Sequence, residues 1–180
     1  MSRSEKTKET YLRAMAAHVL DNGLNTASLR PLAEAADTSD RMLIYHFGSK
    51  DALIASLLAW LAADMTAKLD ASLPETPMPS QRALLSDVMA LVRSPVFAAY
   101  IRLWREVTAA AAMGQDAHLK TGREIVTGFI AWLERRMPID VEDPYRAAEA
   151  MLTLIEGMHV MDAVGLPDVT EAAIDALYPS

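Results

Sequence analysis

The sequence predicts an all-α fold of about nine helices, and three observations support this prediction. Apolar residues recur at intervals of three and four along most of the 180-residue chain, which is the spacing of half-buried helices. Glycine, proline and capping residues separate these stretches at lengths typical of helices. No stretch of useful length alternates apolar and polar residues in the way that a half-buried strand would.

The composition excludes several classes of protein. The chain is 52% hydrophobic and 23% charged, which indicates a folded protein rather than a disordered one. The lack of cysteine excludes disulfide scaffolds, thiolate metal sites and cysteine nucleophiles, and it fits a cytoplasmic location. The first ten residues are too polar for a secretory signal. No run of 18 apolar residues indicates a membrane span, so we expect no membrane partner.

The charge is unevenly distributed along the chain. The net charge is −7 overall, which by itself argues against a nucleic-acid partner. Residues 1–50 nevertheless carry a balance of +1, whereas residues 51–180 carry −8. This division favours a short N-terminal segment with a function different from that of the acidic remainder.

Two helices are expected in the first 36 residues. Apolar positions at helical spacing over residues 12–20 define the first helix, and Asn22-Gly23 ends it with residues that tolerate a left-handed cap. A second, short helix begins after Ser28, a good N-cap. Alternatively, Arg30 is the N-cap and Pro31 the first helical residue, and the sequence allows both starts.

A third and a fourth helix follow a break at residues 37–39. The third spans roughly Asp40 to Phe47, and Gly48-Ser49 separates it from a long fourth helix that ends near Leu73. Three prolines in residues 74–79 make this stretch the clearest linker in the chain.

The rest of the chain is expected to form further helices, each opened by a capping residue or proline. They run from Ser80 to about Val92, from Ser94-Pro95 to about Met113, from Gln115 to Met137, from Asp143-Pro144 to Val164, and from Thr170 to Leu177.

Residues 24–53 fit a helix-turn-helix, in which the second of two short helices enters the major groove of DNA. One set of side chains can pack these helices on each other and on the first helix: Leu29, Leu32, Ala33, Ala36, Leu43 and Phe47. A second set then lies on the outward face of the third helix: Ser39, Asp40, Arg41, Met42 and Tyr45.

The outward residues have the chemistry that base reading requires. Arg41 can bind guanine through two hydrogen bonds, Ser39 is an adaptable donor, and Met42 can contact a thymine methyl group. Binding to phosphates, which carries no sequence information, suits Ser28, Tyr45 and His46.

Lys50 lies in the first turn of the expected fourth helix, where a cation opposes the helix dipole. A DNA phosphate docked at this helix end would make the lysine favourable. Alternatively, Asp51 compensates the charge and Lys50 only contacts solvent. The sequence favours neither interpretation over the other.

The stretch from about Ser4 to Leu58 resembles the DNA-binding domain of the tetracycline-repressor (TetR) family of bacterial transcription regulators. The most specific part is the run YHFGSK after an alanine-rich short helix. The matching residues are Gly23, Ser28-Leu29-Arg30, Leu32-Ala33, Ala36, Ser39, Leu43 and Tyr45 to Leu53. The remainder of the chain resembles the family only in length and helical content.

This resemblance implies a homodimer that binds a palindromic double-stranded operator, usually represses, and is released by a small-molecule effector. It implies a helix-turn-helix domain over residues 1–50 and a helical ligand-binding and dimerisation domain over residues 51–180. Base contacts would come from Ser39, Asp40, Arg41, Met42 and Tyr45. Phosphate contacts would come from Ser28, Tyr45, His46 and Lys50.

Three positions depart from the common family pattern. Asp37 stands where the turn glycine is usual, although aspartate tolerates positive φ better than most residues. Asp40 stands where a basic residue is frequent, and Ile44 where a phosphate-binding tyrosine is frequent. The last two keep a second hypothesis open, namely a helical small-molecule-binding protein with weak or lost DNA binding.

Aromatic and methionine side chains recur on the inward faces of several helices. Such residues are common in adaptable apolar sites, so an apolar or amphipathic effector is expected between helices of residues 54–165. For any single residue of the set, ordinary core packing is the alternative. The candidate pocket residues are Trp60, Met89, Phe97, Tyr100, Trp104, Met151, Ile155 and Met158.

Two long helices, over about residues 115–137 and 144–164, are the expected dimer interface. The apolar band of the second helix is wider than a single helix–helix contact needs. One side of the band can therefore pack on the rest of the chain and the other side on a second copy of the protein. The alternative is a fully buried central helix in a monomer.

Other chemistry has little support in the sequence. There is no HExxH, glycine-rich phosphate loop or GxSxG. The single pair Glu156-x-x-His159 has the spacing used by di-iron bundles, but such sites need two copies. We therefore expect no catalytic activity, no cofactor and no metal, and a helical metalloenzyme remains only as a third hypothesis.

Overall fold

The computed structural model describes residues 3–73 and 75–179. Within these ranges the chain forms nine α-helices and one 3₁₀ turn, and no strand. The helices are α1 (Arg3–Asn22), α2 (Leu29–Ala35), α3 (Asp40–Phe47), α4 (Lys50–Ser72), α5 (Gln81–Val92), α6 (Ala98–Ala112), α7 (Asp116–Glu134), α8 (Pro144–Ala163) and α9 (Pro167–Leu177), and the 3₁₀ turn is Leu24–Thr26. The all-α prediction is confirmed.

Contacts between residues divide the chain into two compact units. The first unit contains Met1–Lys68 and Pro95–Ile125, and the second contains Leu69–Ser94 and Val126–Ser180. The units describe which helices pack together, not which residues bind DNA, so the expected functional division at residue 50 stays a prediction. Pro74, the first residue of the expected linker, lies outside the described residues.

In the first unit, α1 packs on α2 and on α6, and α2 packs on α3. The periodic apolar residues of the sequence form this core. Their side chains are almost fully removed from solvent, and they include Met15, Val19, Leu32, Leu43, Leu53 and Leu57. Each such side chain stabilises the fold by roughly 1.5–3 kcal/mol relative to its exposed state.

In the second unit, α8 contacts both α5 and α9. A buried arginine joins the ends of two other helices there. The fully buried Arg136 donates to the carboxylate of Asp70 at 2.6 Å and to the carbonyl of Leu73, and its guanidinium lies 3.9 Å from the ring centroid of Trp132. The indole N–H of Trp132 donates to the same carboxylate at 2.8 Å. A buried charge is tolerated only with such partners.

Most expected helix boundaries agree with the structure. Of the two starts considered for α2, the structure has the one at Ser28, which is the N-cap residue in extended conformation. The Ser28 side chain makes no capping hydrogen bond, whereas the caps at Ser80 and Asp143 form, because each side chain accepts from the backbone N–H three residues further on. These signals are local, so they depend little on the rest of the fold.

Three boundaries were predicted wrongly. Helix α6 begins after Phe97 rather than after Ser94, because residues 95–97 form a turn and the buried Phe97 carbonyl accepts the first helical bond. Helix α7 ends at Glu134 rather than Met137, since the N–H groups of Arg136 and Met137 bond three residues back. Helix α9 begins at Pro167, and Thr170 lies inside it with its hydroxyl bound to Asp162.

By length and composition, α4 is the one helix in the described part of the chain that meets the criteria for crossing a membrane. Its most apolar 18-residue window has a mean hydropathy of 1.5. Core helices of soluble proteins meet the same criteria, and Leu53, Leu57, Leu61 and Leu69 of α4 are buried within the protein.

Candidate nucleic-acid interface

Helices α2 and α3 are joined by a turn that begins at Asp37. This residue has φ +49°, the left-handed conformation that glycine adopts most easily and that aspartate tolerates. The N–H of Thr38 donates to the carbonyl of Ala33 at 2.9 Å and closes the turn. Ser39 then caps α3, since its hydroxyl accepts from the N–H of Met42 at 3.3 Å. The sequence therefore builds the turn with an aspartate in the glycine position.

The inner face of the pair is apolar. Leu32 and Ala33 of α2, together with Ala36 after it, are buried, as is Leu43 of α3. Leu43 is the one described α3 residue below a tenth exposed, so a single side chain anchors this short helix deep in the core. The rest of α3 is left on or near the surface.

The outer face of α3 contains the five residues predicted to contact bases. Ser39, Asp40 and Arg41 are exposed, and Met42 and Tyr45 are 39% and 77% exposed. A tyrosine with most of its ring in solvent is unusual in an unliganded folded protein, because aromatic side chains generally bury their area. Arg41, Met42 and Tyr45 have the spacing of one side of the helix, whereas Ser39 and Asp40 lie at its N-terminus.

Among the residues predicted to bind phosphate, Ser28 and Lys50 line one groove, and His46 contacts Tyr45 of α3. Ser28 and Lys50 are exposed, and His46 is half-buried. The imidazole of His46 makes edge contacts with Tyr11 and Tyr45, at centroid distances of 5.6 and 5.1 Å. Lys50 is the first residue of α4, a position at which a cation opposes the helix dipole.

Two α1 side chains that the sequence analysis did not single out also support this surface. Tyr11 accepts a hydrogen bond from the Thr38 hydroxyl at 3.3 Å, and the Lys8 ammonium lies 5.7 Å from the ring centroid of Phe47. Both lie one turn apart on α1. Because their partners are about 30 or more residues away, no local pattern in the sequence points to them.

The predicted pocket residues are distributed over both units, and the pocket stays a prediction. The first unit contains Trp60, Phe97, Tyr100 and Trp104, and the second contains Met89, Met151, Ile155 and Met158. Phe97, Tyr100 and the four residues of the second unit are buried, whereas Trp60 and Trp104 are half-buried.

A polar cluster surrounds Tyr100 in the first unit. Its hydroxyl donates to the carboxylate of Asp64, which also binds the ammonium of Lys68 at 2.6 Å. Burial alone would raise the pKa of Asp64, but the hydrogen bonds from Lys68 and Tyr100 outweigh it and lower that pKa below its usual value. Burial and the carboxylate together raise the pKa of Tyr100. The carboxylate is therefore charged and the phenol neutral at physiological pH.

The second unit has an apolar groove of about 530 Å³ between α8 and α9. Its walls include Leu154, Gly157 and Met161 of α8 and Val169 and Leu177 of α9. Two large apolar side chains that line it are exposed: Val169 by 48% and Leu177 by 58%. Clustered apolar exposure of this kind is typical of an interaction surface.

No group of three or more histidine, aspartate or glutamate side chains within residues 3–73 and 75–179 is arranged to hold a metal ion. The imidazole of His159 in the Glu156-x-x-His159 pair is buried.

Comparisons with known proteins agree with this geometry. Residues 13–57, which include α2 and α3, match the sequence model of the family described as "Bacterial regulatory proteins, tetR family". The HTH-type transcriptional regulator BetI of Burkholderia thailandensis is 25% identical over 161 residues, which is 84% of this chain and 80% of that protein.

Solved structures share the fold. A TetR-family regulator from Cytophaga hutchinsonii superposes with a TM-score of 0.71 at 18% identity, over 98% of this chain and 94% of its own. The multidrug binding protein EbrR, complexed with imidazole, superposes with a TM-score of 0.72 at 18% identity, over 100% of this chain and 95% of its own.

A helix-turn-helix with an exposed outer face, followed by further helices, defines a DNA-binding transcriptional regulator. Residues 13–57 have the sequence pattern of the TetR family of these regulators, and the comparisons support a TetR-family regulator. The members of this family bind DNA as dimers.

Proposed function

We propose that the protein is a cytoplasmic repressor without catalytic activity. It binds a palindromic operator as a homodimer and is released by a small apolar or amphipathic effector. The observation that carries this proposal is the exposed outer face of α3, on which Ser39, Asp40, Arg41, Met42 and Tyr45 stand in solvent. Side chains that read bases have to be available in this way before DNA arrives.

The apolar surface of α8 and α9 supports the homodimer. A twofold dimer needs one self-complementary surface, and the apolar groove with its exposed apolar side chains is a candidate for it in the second unit. This surface includes the expected segment 144–164 and adds α9. The expected contribution of residues 115–137 remains part of the proposal.

Release by an effector requires that the effector bind one state of the dimer more tightly than the other. The polar cluster of Asp64, Lys68 and Tyr100 supports an amphipathic ligand, since it places hydrogen-bonding groups among apolar side chains. EbrR, which has the same fold, is described as a multidrug binding protein. The effector would contact some of the eight aromatic, methionine and isoleucine residues predicted above.

Footprinting on the DNA that flanks the protein's own gene tests the proposal. Once an operator is known, its affinity for Arg41→Ala can be measured. This variant is expected to lose about 1–3 kcal/mol of the free-energy discrimination at one base pair of each half-site, because a bidentate contact to guanine is removed. The measurement is the operator affinity for every single-base substitution at constant salt.

Arg30→Ala is the matched control, since Arg30 is exposed on α2 and bound to Glu34 at 3.0 Å, outside the predicted reading face. It is expected to leave base preference unchanged. An equal affinity loss on all operator sequences for Arg41→Ala would instead make Arg41 a phosphate contact.

A second candidate function is small-molecule binding without DNA binding. The exposed Asp40 on the outer face of α3 favours it, because a carboxylate repels phosphate. Absence of a footprint at low salt, together with saturable ligand binding, would favour this second function over the first.

A further inference from the structure

Two α6 side chains, one helical turn apart, hold the junction between α1 and the 3₁₀ turn. Arg102 donates a hydrogen bond to the carbonyl of Leu20 near the end of α1. The Glu106 carboxylate accepts from the backbone N–H of Leu24 at 2.7 Å and from that of Asn25 at 3.3 Å. We call these contacts the α6 clamp.

The clamp satisfies backbone groups that the helices leave without partners. The last carbonyls of a helix and the first N–H groups of the next one have no intrahelical bonds and carry opposite partial charges. The cation of Arg102 lies at the carbonyl end of α1, and the anion of Glu106 lies at the N–H groups of the 3₁₀ turn. Both charges therefore have the sign that stabilises the group they contact.

Gly23 allows the close approach of the Glu106 side chain. Its φ of +86° is a conformation that other residues rarely adopt. A Cβ atom at this position would lie 2.9 Å from a carboxylate oxygen of Glu106. Gly114, at the end of α6, also has positive φ, but a Cβ atom there meets nothing within 4 Å. A side chain at position 23 would therefore displace the Glu106 carboxylate in addition to straining the turn.

The clamp is adjacent to residues that the DNA-binding function uses. Ser28, the N-cap of α2, follows the clamped residues, and its N–H donates to the carbonyl of Thr26 at 2.8 Å. Glu106 shares the lining of one groove of about 460 Å³ with Ser28 and Lys50. A shift of α6 along its axis would therefore move the backbone that leads directly into α2.

We propose that Glu106, supported by Arg102, is a positioning residue for DNA binding. By fixing residues 20–25 to α6, it holds α1 and the start of α2 in the arrangement that presents Ser28 and the outer face of α3. It acts without touching DNA. The proposal rests on the DNA-binding function of the chain and adds a specific residue through which α6 controls it.

Glu106→Ala is expected to weaken operator binding by on the order of tenfold, equally for all operator sequences. The dependence of affinity on salt keeps its slope, because no phosphate contact is lost. Glu106→Gln retains an oxygen acceptor and is expected to recover most of the affinity. Stoichiometric titration gives the active fraction, so that the dissociation constant refers to folded protein only. An unchanged dissociation constant for Glu106→Ala overturns the proposal.

Gly23→Ala and Gly114→Ala form a matched pair, since both place a side chain at positive φ in the first unit. Only Gly23→Ala displaces the Glu106 carboxylate. We expect it to weaken operator binding, with no further loss when Glu106→Ala is added, whereas Gly114→Ala and Glu106→Ala add independently. Equal effects of the two glycine variants on affinity contradict the clamp.

Amide exchange separates failure of this proposal from failure of the regulator function. Glu106→Ala is expected to speed exchange at the Leu24 and Asn25 amides selectively. If the unaltered chain binds no operator, the DNA function fails, yet the exchange at these two amides still reports whether the clamp holds the junction. Unchanged exchange at both amides overturns the clamp itself.

Discussion

Lys50 stands at the first position of α4, directly after Ser49, whose hydroxyl caps the helix by accepting from the N–H of Ala52 at 3.1 Å. A lysine at this position opposes the helix dipole and costs several tenths of a kcal/mol. The neighbouring Asp51 offsets part of this cost. A bound phosphate would reverse the sign, since the ammonium and the helix N–H groups would share one anion. The two interpretations of Lys50 therefore predict different consequences of removing it.

Lys50→Ala is expected to stabilise the unliganded protein slightly and to weaken DNA binding at every sequence. The slope of log affinity against log salt should fall in magnitude by about 0.9, because one phosphate contact is lost. Operator titrations at four or five salt concentrations measure this slope. Lys120→Ala, which removes an exposed lysine of α7, is the control and should leave the slope unchanged once light scattering shows that the variant has the oligomeric state of the unaltered chain. The same slope for Lys50→Ala and the unaltered chain would show that Lys50 only contacts solvent.

At the scale of the helix, the cap signals of the sequence were reliable where the capping bond is local. The predicted caps Ser80 and Asp143 both accept from an N–H three residues further on. Thr170 was predicted to be a cap, but it lies inside α9. Its hydroxyl instead donates a hydrogen bond to Asp162 on the preceding helix, a contact that depends on how α8 and α9 pack. The local sequence pattern does not predict tertiary contacts of this kind.

The candidate site also has features that the local sequence predicts and features that depend on tertiary contacts. Helical periodicity was enough to separate the buried Leu43 from the exposed residues around it on α3, because burial of one face follows from spacing alone. The role of Glu106 was not predictable, since its backbone partners precede it by more than 80 residues. The helix-turn-helix is thus a local property of the sequence, whereas its attachment to α6 is a property of the fold.

A network of charged groups joins α5 to α8 and α9. Arg93, the C-cap of α5, binds both oxygens of the Asp162 carboxylate at 2.8 and 3.0 Å and binds Glu171 at 2.8 Å. The hydrogen bonds from Arg93 lower the pKa of Asp162, although burial opposes them in part. Since α8 and α9 form the proposed dimer surface, this network orients that surface.

Asp162→Asn is expected to destabilise the fold by about 1 kcal/mol at pH 7, because it loses charge-assisted hydrogen bonds. A carboxylate whose pKa is lowered in the folded state stabilises the fold above its unfolded pKa, near 3.8, and loses this contribution as the pH falls through the folded value. The difference from the unaltered chain should therefore shrink below about pH 4.

Urea denaturation at pH 7 and at successively lower pH measures this difference. Asp140→Asn, which removes an exposed carboxylate from the loop after α7, controls for the change in net charge. A stability difference for Asp162→Asn that stays constant down to the acid limit of the folded protein would contradict the ion-pair explanation.

At the scale of the whole molecule, the proposed function depends on a second copy of the chain. A palindromic operator needs two α3 helices held about one DNA turn, roughly 34–36 Å, or a multiple of it apart. A monomer forms half of these contacts and loses the affinity gained when the second half-site binds intramolecularly. Separating the two copies should therefore affect DNA binding even though α3 itself is unchanged.

A substitution at Gly157 can test the proposed dimer surface without disturbing the fold of the monomer. It is exposed in the middle of α8, lines the apolar groove, and a Cβ atom added to it meets nothing within 4 Å. Gly157→Arg should therefore fold, and the loss of a helix-interior glycine even favours α8. The long charged side chain would prevent a second copy from closing over the groove.

Light scattering with size-exclusion chromatography is expected to show a monomer for Gly157→Arg at concentrations at which the unaltered chain is a dimer, with unchanged helical circular dichroism. Operator binding should become weak and lose its cooperativity. Gly128→Arg, at an equally open position on α7, tests the contribution expected of residues 115–137. If Gly128→Arg prevents dimerisation and Gly157→Arg does not, the dimer interface lies on α7 and not on the groove between α8 and α9.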